Sequence, residues 1–243
     1  MSFVTDKQTL DDLNIPGKYR PDSVFSLFNK VVTRGGERLL DKLFQQPLSD
    51  PKQINERSAV FQYFTHHFLS FPFSQEQFSI MEEYLTSTGR GNFIATALHL
   101  HWKKLLETVV SDDAYKTLHL QLTTTVQLLN QFADFLNNLP VFDAENSLLQ
   151  QLQQKRQLFT TGKLGWLLRL KGVSHFTAGT ISRYDHLLRT VHAEDMKEIL
   201  DIIYFLDVYI AVAGVAKYKK LSFAAAFSKK DNIINLQNIE SIE

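Results

Sequence analysis

The feature that most constrains the fold is a long helical pattern in the middle of the chain, residues 112–138. This stretch contains neither proline nor glycine, and its apolar side chains recur at three- and four-residue steps. They are Tyr115, Leu118, Leu122, Val126, Leu129, Phe132, Leu136 and, just after the stretch, Leu139. The pattern predicts one amphipathic helix roughly 40 Å long.

A second helical pattern follows within a few residues and predicts a partner for the first helix. Pro140 ends the first pattern, and Asp143 starts one that runs to about Phe159. The inward positions of the second pattern are Ala144, Leu148, Leu152 and Phe159. Because the connection is short, the two helices are expected to pack antiparallel as a helical hairpin.

The N-terminal part of the chain predicts short helices with identifiable starts. After an extended leader over residues 1–22, Asp22 or Ser23 can cap a helix that runs to about Val31. Thr33 to Gly36 is predicted to form a turn before a helix that Pro47 ends.

Two further helix starts follow in the N-terminal part. Asp50 and Pro51 have the cap and first-position residues of another helix. Ser74 and Gln77 have the spacing of a capping box.

The last long helical segment starts near Thr180, becomes irregular around His192 and ends at about Leu221. Between Met196 and Ala216 it is apolar on nearly every face, which is typical of a helix enclosed by its neighbours. The chain is therefore predicted to be all-α, a multi-helix bundle with long antiparallel helices.

Composition excludes several classes of site. The 243 residues include no cysteine, so disulfides, cysteine-ligated zinc and cysteine nucleophiles are ruled out. The net charge is zero, which gives no overall electrostatic attraction to nucleic acid. Residues 1–13 lack the pattern of a signal peptide, and no uninterrupted apolar run is long enough to span a bilayer. We expect a cytoplasmic protein with no membrane partner.

Two separated segments carry a resemblance to a known family. Within residues 24–64 the matching positions are Thr33, Gly36, Arg38, Leu39, Leu40, Gln46, Pro47, Leu48, Ile54 and Arg57. This segment resembles the start of the lever, or core, domain of MutS-family DNA mismatch-repair ATPases. A second segment, Ile203 to Lys220, is similar to the family helix that leads back to the ATPase domain. Residues 68–195, between them, match poorly.

The resemblance implies a domain organisation. Residues 23–228 would form the helical lever domain, with 160–180 as an irregular insertion where the DNA clamp would sit. Inside that insertion, Trp166 to Leu168 can form either a strand or a helical turn. Residues 229–243 would begin the following ATPase domain or a linker to it. The family's mismatch-reading domain and its Phe-x-Glu motif are not found in this sequence.

The resemblance also implies a function. The chain would be a non-catalytic lever that couples the nucleotide state of a C-terminal ATPase domain to DNA binding in mismatch repair or related DNA processing. The full-length protein would be a DNA-dependent ATPase that binds ATP and Mg and forms a homodimer through that domain. The alternative is a stand-alone helical module for protein–protein interaction.

The residues themselves predict no catalytic, cofactor or metal site. The glycine–lysine pairs, at Gly17 and Gly162, lack the spacing of a phosphate-binding loop. Neighbouring histidines, as at His99 and His101, point to different sides of a helix, and His192 with Asp195 lacks a third ligand.

Basic residues near the end of the last helix are the candidate contacts with DNA. They are Lys217, Lys219 and Lys220, and the favoured alternative is that they match the negative end of the helix dipole. A second basic series, Lys30, Arg34, Arg38 and Lys42, recurs at four-residue steps and has the same two interpretations.

Asp207 is a charge within an otherwise apolar helix, and a buried carboxylate needs a partner. Arg38, or else Arg34, on the other matching segment is the predicted partner. Such a structural pair would tie the first helices to the last. It predicts that Arg38→Ala and Asp207→Ala destabilise the protein by similar amounts and non-additively.

Overall fold

The computed structural model describes Ile15 and residues 23–87, 112–140 and 146–228. Within these ranges every regular element is helical, which confirms the all-α prediction. The predicted leader, apart from Ile15, and the predicted terminal segment 229–243 lie outside the described residues.

The described residues form α-helices, one 3₁₀-helix and one π-helical turn. In chain order the α-helices are α1 (Val24–Phe28), α2 (Arg34–Gln45), α3 (Pro51–His67), α4 (Gln75–Thr86), α5 (Asp112–Asn137), α6 (Ser147–Thr160), α7 (Ala178–His186) and α8 (Ala193–Tyr218). The 3₁₀-helix, Gly165–Leu170, follows α6, and the π-helical turn, Leu187–Val191, lies between α7 and α8.

Several helix starts form as their sequences predict. The Ser23 hydroxyl accepts a hydrogen bond from the Ser26 amide at 3.1 Å, and that of Ser74 accepts one from the Gln77 amide at 3.3 Å. Pro51 occupies the first turn of α3. Asp50 holds the N-cap position there, although its side chain makes no capping hydrogen bond.

The segment from Trp166 to Leu168, for which the sequence allows a strand or a helical turn, is helical and lies within the 3₁₀-helix. Leu164 and Leu167 are fully buried, and the Asn130 side-chain amide donates to the Leu167 carbonyl at 3.1 Å. The apolar side chains and this hydrogen bond together fix the segment against α5.

The chain divides into two compact units. The first comprises residues 1–71, 140–151 and 204–243, and the second comprises 72–139 and 152–203. Helices α6 and α8 therefore contribute residues to both units.

The second unit contains α5 and the part of α6 from Leu152 onward, which pack as the predicted hairpin. The Phe132 and Phe159 rings meet edge to face at 6.0 Å, and Arg156 Nε donates to Asn137 Oδ1 at 3.0 Å. Since residue numbers rise on one helix as they fall on the other, the packing is antiparallel. Leu152 is buried as predicted, whereas Ala144 and Leu148 fall outside the side chains that the structure describes.

A buried polar network also holds the second unit. The Tyr84 hydroxyl donates to Asp185 Oδ1 at 2.8 Å, and Arg189 binds both Asp185 oxygens at 2.7 and 2.9 Å. Burial, reinforced by the charge of Asp185, raises the pKa of the Tyr84 hydroxyl. The network joins α4 to α7 and to the π-helical turn, which lies next to His192, where the sequence predicts an irregular helix.

Helix α8 is long and strongly apolar. By length and composition alone it could cross a membrane, but 67% of its most apolar 18-residue window is buried in the folded chain. Such burial is typical of a core helix, as the continuous apolar pattern predicts.

Candidate functional site: a helix start capped by the last helix

The first unit is organised around the start of α2. Thr33 has extended backbone angles, and its Oγ1 accepts a hydrogen bond from the Gly36 amide at 2.9 Å. Thr33 is thus the N-cap, and α2 begins at Arg34. The prediction of a separate turn from Thr33 to Gly36 is corrected: this segment is the cap and first turn of the helix.

The carboxylate of Asp207, on α8, completes this cap. The Val32 amide lies 3.0 Å from both carboxylate oxygens, and the Thr33 amide and hydroxyl each donate to Oδ2 at 2.7 Å. Asp207 is only 1% exposed. A helix N-terminus carries unpaired amides and partial positive charge, so it suits a buried carboxylate.

These contacts correct the predicted partner of Asp207. Among the described residues, the hydrogen bonds to this carboxylate come from Val32 and Thr33 and not from Arg38 or Arg34, both of which are exposed. The physical reason is that the helix start brings amide and hydroxyl donors to the carboxylate, while the long arginine side chains extend toward solvent.

Burial shifts the pKa of Asp207. Desolvation raises the pKa of its carboxyl group, and the hydrogen bonds from Val32 and Thr33 oppose this increase without cancelling it. The site is therefore a structural carboxylate in a desolvated position.

Two glycines allow α8 to approach this closely. A Cβ added to Gly36 would lie 2.6 Å from Asp207 Oδ2 and 2.8 Å from Thr33 Oγ1. A Cβ added to Gly35 would overlap the ring of Tyr204. A side chain at residue 36 would collide with the cap itself, and one at residue 35 would require the Tyr204 ring to move.

Aromatic contacts support the same part of α8. Tyr209 stacks on Phe61 of α3 at 4.4 Å and on Phe205 at 4.1 Å between ring centroids. Burial raises the pKa of Tyr209, an effect that a hydrogen bond with Arg57 and its charge oppose. Helix α3 is thereby joined to α8 close to the capping carboxylate.

Comparison with known proteins places this architecture in a family. A family model described as MutS domain III matches residues 8–213. The chain belongs to the MutS domain III family.

The DNA mismatch repair protein MutS of Thermosipho melanesiensis is one relative. It is 33% identical over 135 residues, which cover 54% of this chain and 16% of that protein. The matched part is thus a small fraction of the length of this relative. No solved structure matches.

The structure shows why the two MutS-like segments occur together. Thr33 and Gly36 belong to the first segment and Asp207 to the second, and the three residues meet at one helix start. Sequence reasoning missed Thr33 as the partner of Asp207. A threonine directly before a helical pattern was the available signal, because threonine is a favoured N-cap residue.

The basic residues of this MutS domain III have varied surroundings. Lys217 is exposed, and its ammonium group lies over the ring of Phe68, while Lys219 and Lys220 form the turn after α8. Lys30, Arg34, Arg38 and Lys42 are all exposed. A contact between Lys217, Lys219 or Lys220 and DNA stays a prediction.

His192 and Asp195 lie in the second unit. His192 Nδ1 is 3.1 Å from Asp195 Oδ2, and Lys163 Nζ is 2.8 Å from Asp195 Oδ1. Burial tends to raise the pKa of Asp195, but the hydrogen bonds and charges of Lys163 and His192 outweigh it, so the pKa is lowered.

Within residues 23–87, 112–140 and 146–228, no three histidine or acidic side chains are placed to hold a metal ion. His99 and His101 lie outside these ranges.

A double-mutant cycle separates the observed partner of Asp207 from the predicted one. Asp207→Ala leaves buried amides without an acceptor, so we expect a loss of about 2–3 kcal/mol in the free energy of unfolding. Thr33→Val should couple to Asp207→Ala, whereas Arg38→Ala should add to it within about 0.5 kcal/mol. Urea denaturation measures each variant. Coupling to Arg38 and additivity with Thr33 would contradict the observed cap.

Two glycine substitutions provide a matched test of the close approach of α8 to the start of α2. Gly36→Ala should destabilise the protein, because the new Cβ meets Asp207 and Thr33. Gly214→Ala, on an exposed position of α8 with nothing within 4 Å, should stabilise it by about 0.5–1 kcal/mol through helix propensity. Thermal unfolding measures both, and a stabilised Gly36→Ala variant would contradict the packing.

Proposed function

We propose that this domain is the non-catalytic lever of a larger MutS-like, ATP-dependent DNA-binding protein. It would couple the nucleotide state of a C-terminal ATPase domain to DNA binding in mismatch repair or related DNA processing. The observation that carries the proposal is the Asp207 cap, which joins α8 to the start of α2 within a MutS domain III.

In this proposal the chemistry lies outside these 243 residues. ATP and Mg would bind to the ATPase domain, which would also form the homodimer, and the intact protein would be a cytoplasmic DNA-dependent ATPase. The lever itself would contribute stiffness and attachment. Its segment of α8 would move together with the start of α2, because the carboxylate holds the amide of the N-cap residue, Thr33, and that of Val32 before it.

A specific observation favours one alternative, a stand-alone protein–protein interaction module. Phe68 is 71% exposed and Tyr218 is 85% exposed, at the ends of α3 and α8. The two residues lie in one region, since Lys217, next to Tyr218, lies over the Phe68 ring, and a contiguous exposed apolar patch marks a surface for a protein partner.

The proposal is tested in the intact protein by measuring DNA affinity with and without a non-hydrolysable ATP analogue. We expect the analogue to change DNA affinity about fivefold or more in the wild type, the usual lower range of allosteric coupling. Asp207→Asn should reduce this nucleotide effect while leaving ATP binding intact, and Gly214→Ala serves as the control.

Two outcomes would contradict the lever function. One is an intact protein that does not bind DNA, which would favour the interaction module. The other is an Asp207→Asn variant that folds and keeps the full nucleotide effect on DNA affinity.

A further inference from the structure

The chain that leaves α8 turns back along the outside of α3. We call this segment, Leu221–Ser228, the connector strap. Its contacts with α3 run in reversed order: Phe223 lies beside Phe61, Ala224 beside Ser58 and Ala226 beside Asn55. The strap is therefore an extended segment antiparallel to α3.

One side chain holds both backbone groups of a strap residue. The Asn55 amide nitrogen donates to the Ala226 carbonyl at 3.0 Å, and its Oδ1 accepts from the Ala226 amide at 2.7 Å. The Ser58 hydroxyl donates to the Ala224 carbonyl at 3.2 Å. Asn55 thus binds the peptide backbone as a neighbouring β-strand would, independently of strap side chains.

An aromatic stack extends from the strap to α8. Phe223 stacks on Phe61 at 6.5 Å with an interplanar angle of 12°, and Phe61 stacks on Tyr209 at 4.4 Å. Tyr209 follows the capping Asp207 by two residues. The strap is therefore linked through packed rings to the part of α8 that caps α2.

We propose that Asn55 and Ser58 form a backbone-binding latch for the connector strap. We also propose that opening this latch weakens the Asp207 cap through the Phe223–Phe61–Tyr209 stack. The occupant of this α3 surface is the strap itself. The hydrogen bonds of Asn55 and Ser58 are solvent-exposed, so each contributes little and the latch can open while the core stays folded.

The inference rests on the proposed lever function, because the strap leads to residues 229–243, where a following ATPase domain is expected. A pull on the chain beyond residue 228 would load the Asn55 latch before it loads the Asp207 cap. The latch would thereby turn a flexible exit into a fixed attachment on α3.

The latch is tested by amide hydrogen exchange in this 243-residue chain. Asn55→Ala should accelerate exchange at Ala226 about fivefold to tenfold, because both the donor and the acceptor are lost. The matched control is Gln53→Ala. Gln53 is exposed, carries the same side-chain amide group, and lies on the same helix roughly 200° around the axis from Asn55. Equal exchange at Ala226 in the wild type and in both variants would overturn the latch.

The proposed link from the latch to the Asp207 cap is tested at the cap itself. Opening the latch with Asn55→Ala should accelerate exchange of the Val32 and Thr33 amides about twofold to threefold, by raising the population of the open cap. In a Phe61→Leu background, which keeps an apolar side chain but removes the ring, Asn55→Ala should have no further effect there. Unchanged exchange at Val32 and Thr33 upon Asn55→Ala would overturn this link.

These measurements need neither nucleotide nor DNA. A failed latch therefore leaves the nucleotide effect on DNA affinity to be judged separately. Conversely, an intact protein that does not bind DNA would contradict the lever function without changing the exchange at Ala226.

Discussion

A buried carboxylate and an unpaired helix start satisfy each other in this domain. Asp207 would be costly on an apolar helix without donors, and α2 begins with amides that need acceptors. This interaction restricts which residues can occupy the neighbouring positions of α2. Thr33 both accepts from Gly36 and donates to Asp207, and glycine at residue 36 leaves room for the Asp207 carboxylate.

The same stretch of α8 connects to α3 through stacked rings. Phe61 lies between Tyr209 on α8 and Phe223 on the connector strap, while Asn55 holds the strap backbone. The first unit thus has a strongly buried joint at the cap and a weaker, exposed joint at the strap. In the proposed lever function, the cap would stay closed while the strap responds to the chain that follows.

Local patterns predicted much of the fold. Proline-free periodicity predicted α5, and the Ser23 and Ser74 caps predicted the starts of α1 and α4. The wrong partner for Asp207 has a physical explanation. Charge complementarity in the sequence favours Arg38, but the donors are mainly backbone amides, which every residue except proline possesses. The strap was missed for the same reason, because Asn55 binds backbone and leaves no complementary side-chain signal.

We infer that the charge of Asp207 holds the first turn of α2 in place. Asp207→Asn keeps the size of the side chain but removes its charge and one acceptor; with the remaining oxygen on Thr33, the new NH₂ group faces the Val32 amide. The most direct measurement is the NMR backbone chemical shifts of residues 34–37 in this variant. We predict that they move toward coil values while those of Gln75–Thr86 stay helical. Helical shifts retained throughout residues 34–37 would contradict the account.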